Sequence, residues 1–486
     1  MMKYENKRQT ILLKTDEKPP SSTDPPEIDE GPSLQKDHII GVTNKSFTPE
    51  FLSRLGAILG TTLKETDIAL LGRDFRRDSL MLQNCFSTGL ISTGVSSFNL
   101  DAIPGTILQF LIRRIGASAG ILFAASHTHP NEIELRIFDE SGSELSQASL
   151  HKMLNELKLP DGRNLRRVEP NKIGRILTLS DTQTIYHNAL IRMVNTQSIS
   201  QMQFKITVDC SLGPIFQIMP SLLADLCCNV ISLNCFQPFH PPKVFPNNQS
   251  LVALIKSLVA TNSDIGVVFD QRGSQVHFID GTGTFVDPTE VTLLLALDRI
   301  QKAESTANVV VISQSLGEQI QKALAATGTR VKTIDVTTTS LSRAIRQYRA
   351  IFGAADDGSY YYPAFSPGCE CILATLNLLD IMAQREQSLS QLVHPVAHQR
   401  TKFIQTLPEE QNIMNGLGTL RSSEFQIIDT IIGYKFVFPD NGWVSLYPTR
   451  QLGVYTLVGQ RGETSTEQAL FKKVLTILKT MQEQDN

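Results

Sequence analysis

The feature that most constrains this chain is a pattern that starts three times over, a short apolar run followed by an amphipathic stretch and another apolar run. In the first pass, Thr48 and Pro49 suit the cap and first turn of a helix whose Phe51, Leu52, Leu55, Ile58 and Leu59 fall on one face. "DIALLG" at 67–72 then reads as a buried strand, Leu80–Ile91 as a helix, Val95–Phe98 as a strand, Pro104–Ile115 as a helix and "GILFA" at 120–124 as a strand. The second pass runs through "FKITVD" at 204–209, a helix after Pro214, "VISLN" at 230–234, a helix around Leu251–Val259 and "IGVVFD" at 265–270. The third begins at Asp287-Pro288-Thr289-Glu290, which suits a helix cap and first turn, and continues through "NVVVIS" at 308–313, "VKTIDV" at 331–336 and a helix from about Ser340. Such alternation predicts α/β units.

The last hundred residues break the pattern. "QIIDTIIGYKFVF", "GWVSLYP" and "GVYTLVG" read as strands and Thr466–Met481 as a terminal helix, a smaller α+β module. At the other end, "KPPSSTDPPEIDEGPS" cannot bury enough surface to offset the entropy of ordering, so residues 1–36 are expected to be a disordered tail. The 486 residues therefore divide as 1–36 tail, 37–176, 177–285 and 286–395 as three α/β domains, and 396–486 as a fourth. A formal charge of -3 without a long basic stretch points to neither nucleic acid nor an anionic membrane surface. No apolar run reaches the length of a signal segment or a membrane span. The seven cysteines, an odd number scattered through mostly apolar stretches, read as reduced core thiols, and the expected location is cytoplasmic.

In open α/β sheets ligands bind beyond the carboxyl ends of the strands, so the residues after each apolar run are the candidates for chemistry. These are Arg73, Asp74 and Arg76, then Ser126-His127, then "DQRGSQ" from Asp270, and "GAADDG" from Gly353. His127 and His129 have the spacing of a loop metal pair, but without further ligands nearby a Zn2+ site is disfavoured. "GTGTF" at 281–285 lacks a dinucleotide-binding context and reads as a hairpin turn.

Taken together, in order, these stretches resemble the phosphomannomutase/phosphoglucomutase family of phosphohexomutases from about residue 37 onward. "GRDFRRDS" is similar to that family's GRD-x-R stretch, "AASHTHPNEIELRI" to its phosphoserine loop, "VVFDQRGSQVHFID" to its F-D-G-D-x-D-R-V metal loop, and "GWVSLYPTRQLGVY" to its phosphate-binding loop. The resemblance implies three similar α/β domains with mixed sheets and a smaller C-terminal α+β domain around a central cleft. It also implies transfer of a phosphoryl group between hexose 6-phosphate and hexose 1-phosphate through a phosphoserine, assisted by Mg2+. Such transfer is mostly positioning and charge neutralisation.

Carried over residue by residue, the resemblance makes Ser126 the nucleophile and metal ligand, His127 its neighbour in proton transfer, and Arg73 and Arg76 part of the catalytic set. Arg136 falls where the family has Lys and, staying protonated, is a poor proton carrier. Asp270 matches the first metal-binding Asp, but Arg272 and Ser274 replace the other two, an incomplete site at which Mg2+ is expected to be weak or absent. Arg272 is expected to be a solvated loop arginine rather than a built-in counter-charge. Ala354 and Asp356 replace the sugar-binding Glu and Ser, Tyr447 takes the place of the phosphate-gripping Arg, and Arg450 is the candidate to compensate for it. Trp443 is expected to pack under the fourth domain's sheet.

Losing one positioned charge-stabilising donor costs about 3 kcal/mol of transition-state stabilisation. With several such groups altered at once, the expected function is a phosphohexomutase-like protein that is catalytically silent or strongly impaired. Two alternatives stay open: an active enzyme with atypical metal and substrate use through Ser126, and a non-catalytic phosphosugar sensor or partner-binding protein. The partner itself is not legible.

Overall fold

The computed structural model describes residues 31–126, 129–159, 165–237, 244–303, 308–336 and 340–393, and strands at 398–401, 426–430, 433–437, 443–448 and 455–460. Domain 1 holds strands Ser33–Leu34 (β1), His38–Val42 (β2), Ile68–Arg73 (β3), Ser96–Ala102 (β4), Ala119–Ala125 (β5), Glu132–Asp139 (β6) and Ile176–Thr178 (β7) in the order β1-β2-β6-β5-β3-β4-β7. Its helices are Pro49–Thr62 (α1), Arg77–Ile91 (α2), Gly105–Ile115 (α3) and Gln147–Lys158 (α4). Two short helices, Thr182–Ile191 (α5) and Thr196–Met202 (α6), lead into domain 2.

Domain 2 comprises Lys205–Asp209 (β8), Met219–Asp225 (α7), Asn229–Leu233 (β9), Asn248–Thr261 (α8), Ile265–Phe269 (β10) and Val276–Asp280 (β11). Domain 3 comprises Pro288–Gln301 (α9), Val309–Ser313 (β12), Glu318–Ala325 (α10), Arg330–Ile334 (β13), Leu341–Tyr348 (α11), Phe352–Ala354 (β14), Tyr360–Tyr361 (β15), Cys371–Arg385 (α12) and Leu389–Leu392 (α13). The fourth unit is a five-stranded antiparallel sheet of His398–Thr401 (β16), Gln426–Thr430 (β17), Gly433–Val437 (β18), Trp443–Pro448 (β19) and Tyr455–Gln460 (β20).

The repetition seen in the sequence is a repetition of topology. The cores β4-β3-β5-β6, β9-β8-β10-β11 and β13-β12-β14-β15 each carry three parallel strands and one antiparallel strand at the same side. Domains 1 and 2 also share the turn that follows the antiparallel strand. Asp139 accepts from the backbone N–H of Ser141 and Ser143, and Asp280 accepts from those of Thr282 and Thr284. "GTGTF" is therefore the turn expected of it. The tips of β5, β10 and β14 are equivalent positions, and Ser126, Asp270 and Ala355 follow them.

Local signals act as read. Thr48 Oγ1 accepts from the Phe51 N–H, and Asp287 accepts from the Thr289 N–H, each satisfying a helix-end donor that would otherwise be orphaned. Leu52 and Leu55 of α1 are fully buried, each worth about 1.5–3 kcal/mol relative to exposure. Gly56 and Gly89 sit mid-helix because α1 and α2 touch backbone to backbone. A Cβ at Gly56 would lie 2.1 Å from the Phe86 carbonyl oxygen and one at Gly89 1.7 Å from that of Ser53.

Four expectations change. Ser33–Leu34, assigned to the tail, pairs antiparallel with β2, and β7 carries the first sheet to Thr178, past the expected boundary at 176. The stretch from Glu132, read as part of the phosphoserine loop, is the strand β6, which alternates along an antiparallel ladder with β5. Cys227 is exposed, not a core thiol; all seven cysteines are free. The helix expected at Thr466–Met481 and the tail to residue 30 lie outside the described residues. Among the described residues no helix is long and apolar enough to cross a membrane.

Candidate functional site

Ser126 follows β5 directly and is 1% exposed. Its N–H donates to the Glu132 carbonyl at 3.3 Å, continuing the β5–β6 ladder by one step. Arg76 supports the loop between them. Its Nη1 donates to the carbonyls of Pro130 (2.8 Å) and Glu132 (3.0 Å), while Nε and Nη2 grip Asp78 in a bidentate pair. Arg73 holds the Asp74 carbonyl at 2.9 Å and the Asp101 carboxylate at 3.2 Å. Both arginines expected in the catalytic set thus hold backbone and carboxylates of this chain. Burial raises the Asp74 pKa above the ordinary carboxylate value. His127 and Arg450 lie outside the described residues, as does the side chain of Trp443.

The loop from Asp270 to Gln275 is closed on itself. Asp270 Oδ1 accepts from the N–H groups of Ser274 (2.6 Å) and Gln275 (2.8 Å); Oδ2 accepts from Ser274 Oγ (2.9 Å) and Arg272 Nε (3.0 Å). Gly273, at φ 69°, makes the turn where a Cβ would lie 3.0 Å from Pro104 Cβ. The backbone of this loop also meets domain 1, where the Gly105 N–H at the start of α3 donates to the Arg272 carbonyl.

Arg272 corrects the sequence expectation. It is 9% exposed, and its Nη1 donates to Glu134 Oε2 of domain 1 at 2.8 Å, so one guanidinium bridges two buried carboxylates from two domains. Burial works against its charge, yet Glu134 and Asp270 raise its pKa above the ordinary arginine value. A solvated reading failed because the partner lies 138 residues away in the chain. Glu134 is fully buried and also accepts from Arg136. Arg136 in turn faces Asp37 at 3.5 Å. Burial pushes the Asp37 pKa up, but Arg136 and the hydrogen bond with His38 outweigh it and hold it well below the carboxylate range. His38 is lowered by burial and by Arg136.

Among the described residues three carboxylates (Asp37, Glu134, Asp270) therefore share two guanidinium groups (Arg136, Arg272), with Lys36 also acting on Asp37. The Cα of Glu134 pairs with that of Ala124, two residues before Ser126, which is about 7 Å of backbone along the ladder. The donor set does not fit Mg2+. Both Asp270 oxygens are already occupied, and a cation stands where a ligand is required. Among the described residues no group of three or more His, Cys, Asp or Glu side chains is placed to hold a metal ion.

The third loop is also closed internally. Asp356 meets Lys435 of β18 at 3.2 Å with both side chains 4% exposed, and Lys435 Nζ also donates to the Ser315 carbonyl at 3.1 Å. Asp357 accepts from Gln275 Nε2 at 3.0 Å, tying the third loop to the second, and burial raises its pKa. The acidic pair that would repel a phosphosugar is thus half neutralised by a lysine of the fourth sheet. Tyr447, in the position expected of a phosphate grip, donates its phenol to Asp287 Oδ2 at 2.7 Å and packs beside Phe285. Sequence reading missed Glu134 and Lys435 as site residues. The one signal for Glu134 is a lone acid at an inward position of an alternating strand.

Residues 33–160 match the family model "Phosphoglucomutase/phosphomannomutase, alpha/beta/alpha domain I", and residues 287–399 match that of domain III. Among curated proteins, the phosphoglucomutase/phosphomannomutase of Thermococcus kodakarensis is 26% identical over 412 residues, covering 83% of this chain and 89% of that one. The probable phosphoglucosamine mutase of Pyrococcus horikoshii is 26% identical over 446 residues, covering 90% and 96%. Among solved structures, a putative phosphomannomutase from Thermus thermophilus aligns with TM-score 0.71 at 20% identity, over 93% of this chain and all of that one, a likeness of fold.

Proposed function

From its family-level relationship to the phosphoglucomutase/phosphomannomutase superfamily, we propose that this chain is a phosphohexomutase-like protein in which Mg2+-assisted phosphoryl transfer is silent or strongly impaired. The observation that carries this reading is the Arg272 guanidinium held between Asp270 and Glu134. A phosphoserine with its metal needs several oxygen ligands and a net positive surround. Here the loop offers one carboxylate whose oxygens are already taken, and the surrounding groups are acid-rich. Tyr447 and Lys435 support the same reading, since each occupies a cleft-side position with an internal contact.

The test is a coupled assay with glucose 1-phosphate and mannose 1-phosphate, plus intact-mass measurement after incubation with Mg2+ and a hexose 1,6-bisphosphate. No turnover and no stable phosphoryl adduct are expected. Turnover abolished by Ser126→Ala would overturn the proposal and establish Ser126 as a working nucleophile.

A further inference from the structure

Domains 1 and 3 meet away from the strand tips, around a cavity of about 540 Å³. The turn after β6 and the end of α3 form one wall, and α11 with the segment after β15 forms the other. The strand tips and this cavity lie at opposite ends of β6, separated by roughly 23 Å of strand. The volume falls within the range of about 300–1,000 Å³ typical of small-molecule pockets.

The lining has a definite chemistry. Three arginines from two domains converge on it: Arg113 at the end of α3, Arg346 within α11 and Arg349 at its C-terminus. Arg113 Nη1 donates to the Pro363 carbonyl at 3.2 Å, a contact that leaves its charge unneutralised. Arg346 Nη1 donates to Ser141 Oγ at 2.6 Å and lies 3.6 Å from Asp139. Among the described residues no carboxylate pairs with the Arg349 guanidinium. Glu140 is the one acid among the lining residues, with Asp139 beside Arg346 and Glu144 held by Ser342 at its edge. Ile345, Ala350, Pro363 and Pro367 supply an apolar wall beside the charges.

Guanidinium groups match phosphate oxygens in geometry and charge, and prolines with an isoleucine offer a surface for a ring. We propose that this interdomain cavity binds a phosphomonoester of a ring compound, with the phosphate on Arg349, Arg346 and Arg113 and the ring against Ile345, Pro363 and Pro367. Because the arginines come from both walls, such a ligand fastens domain 1 to domain 3. Junction contacts already run the same way, with Ser342 Oγ donating to Glu144 Oε2 at 2.8 Å beside the cavity. The site shares no residue with Ser126 or the Asp270 loop, so it stands whether or not phosphoryl transfer survives.

The test uses the full chain, calorimetric titration and thermal melting, with inorganic phosphate, glucose 6-phosphate and adenosine monophosphate as probes. At least one of the two organic phosphates is expected to bind more tightly than inorganic phosphate and to raise the melting temperature. Arg349→Glu is expected to weaken that binding about tenfold or more, the loss of a charge-assisted contact, without changing the melting temperature of the free protein. Arg349→Lys restores most of it. Failure of all three probes to bind, or binding unchanged in Arg349→Glu, overturns the proposal. Binding of inorganic phosphate as tight as that of both organic probes overturns the assignment of the apolar wall.

Discussion

The junction of domains 1 and 2 and the junction made by the fourth sheet fill equivalent places in different ways. At the first, one guanidinium lies between two buried carboxylates, with a further acid beyond them. At the second, one ammonium meets one carboxylate and a carbonyl, and a phenol meets another carboxylate. Among the described residues both hold more carboxylates than cations, three against two at the first and two against one at the second; they differ in that the cation of the first lies between two carboxylates. At both, contacts within the chain hold the groups that would otherwise meet a ligand. The contrast also orders the two energetically. A cation removed from between two buried carboxylates loses two ion pairs at once, though Glu134 keeps Arg136 and Asp270 its loop donors, while a cation removed from a single pair loses one and leaves a carboxylate that keeps its Ser315 hydrogen bond.

That ordering can be broken by substitution. Arg272→Met is expected to lower stability by about 3–5 kcal/mol, the cost of stranding a buried charge partner, read from denaturant unfolding. Adding Glu134→Gln should return part of the loss, because one of the stranded charges goes with it. A cost below about 1 kcal/mol would mean the bridge behaves as a surface pair. Lys435→Met is expected to cost less, about 2–3 kcal/mol, for one buried acceptor left partly satisfied. Tyr447→Phe removes one hydrogen bond to a carboxylate and keeps the ring beside Phe285, so about 1–2 kcal/mol is expected. If Tyr447→Phe cost more than Arg272→Met, the comparison of the two junctions would be reversed.

Much of the fold was legible because its determinants are local. The caps at Thr48 and Asp287 and the apolar runs of β3, β5, β8, β10 and β12 are each written within a few residues, and the threefold restart forecast three equivalent sheets. The antiparallel strands β6 and β11 escaped notice because they lie inside stretches that read as loops of a resembled family. At the candidate site the sequence offered departures from the motifs it resembles. The contacts made there were not legible, because Arg272 and Glu134, Lys435 and Asp356, and Tyr447 and Asp287 are joined only by the tertiary fold. Arg76, placed in the catalytic set by resemblance, has contacts with Asp78 and the loop backbone that the sequence did not show.

Beside these junctions sits His277 of β11, buried, with a pKa pushed down to about 4 by burial despite a hydrogen bond with the Asp357 backbone and the nearby carboxylates Asp270, Asp287 and Asp356. The unfolded chain takes up this proton near the ordinary 6.5, so between that value and about 4 the unfolded state binds more protons. Its contribution is complete above pH 6.5 and is lost as pH falls toward 4. Denaturation midpoints measured across that window should fall on acidification, and His277→Leu should flatten the slope. A slope unchanged in the variant would assign the acid limb to other groups.

The smallest expected effect is the one that separates the first junction from a metal site. A Mg2+ site with a dissociation constant tenfold below the added concentration would stabilise the protein by about 1.4 kcal/mol. Because both Asp270 oxygens are occupied and Arg272 stands between the carboxylates, Mg2+ or its removal by chelation should leave the melting temperature unchanged. The double variant Arg272→Asp, Ser274→Asp places three carboxylates on that one loop and removes the cation, so its melting temperature should become Mg2+-dependent. A native protein that responds to Mg2+ as strongly as the variant would mean that the guanidinium does not keep the metal out, and the charge argument for silence would fall with it.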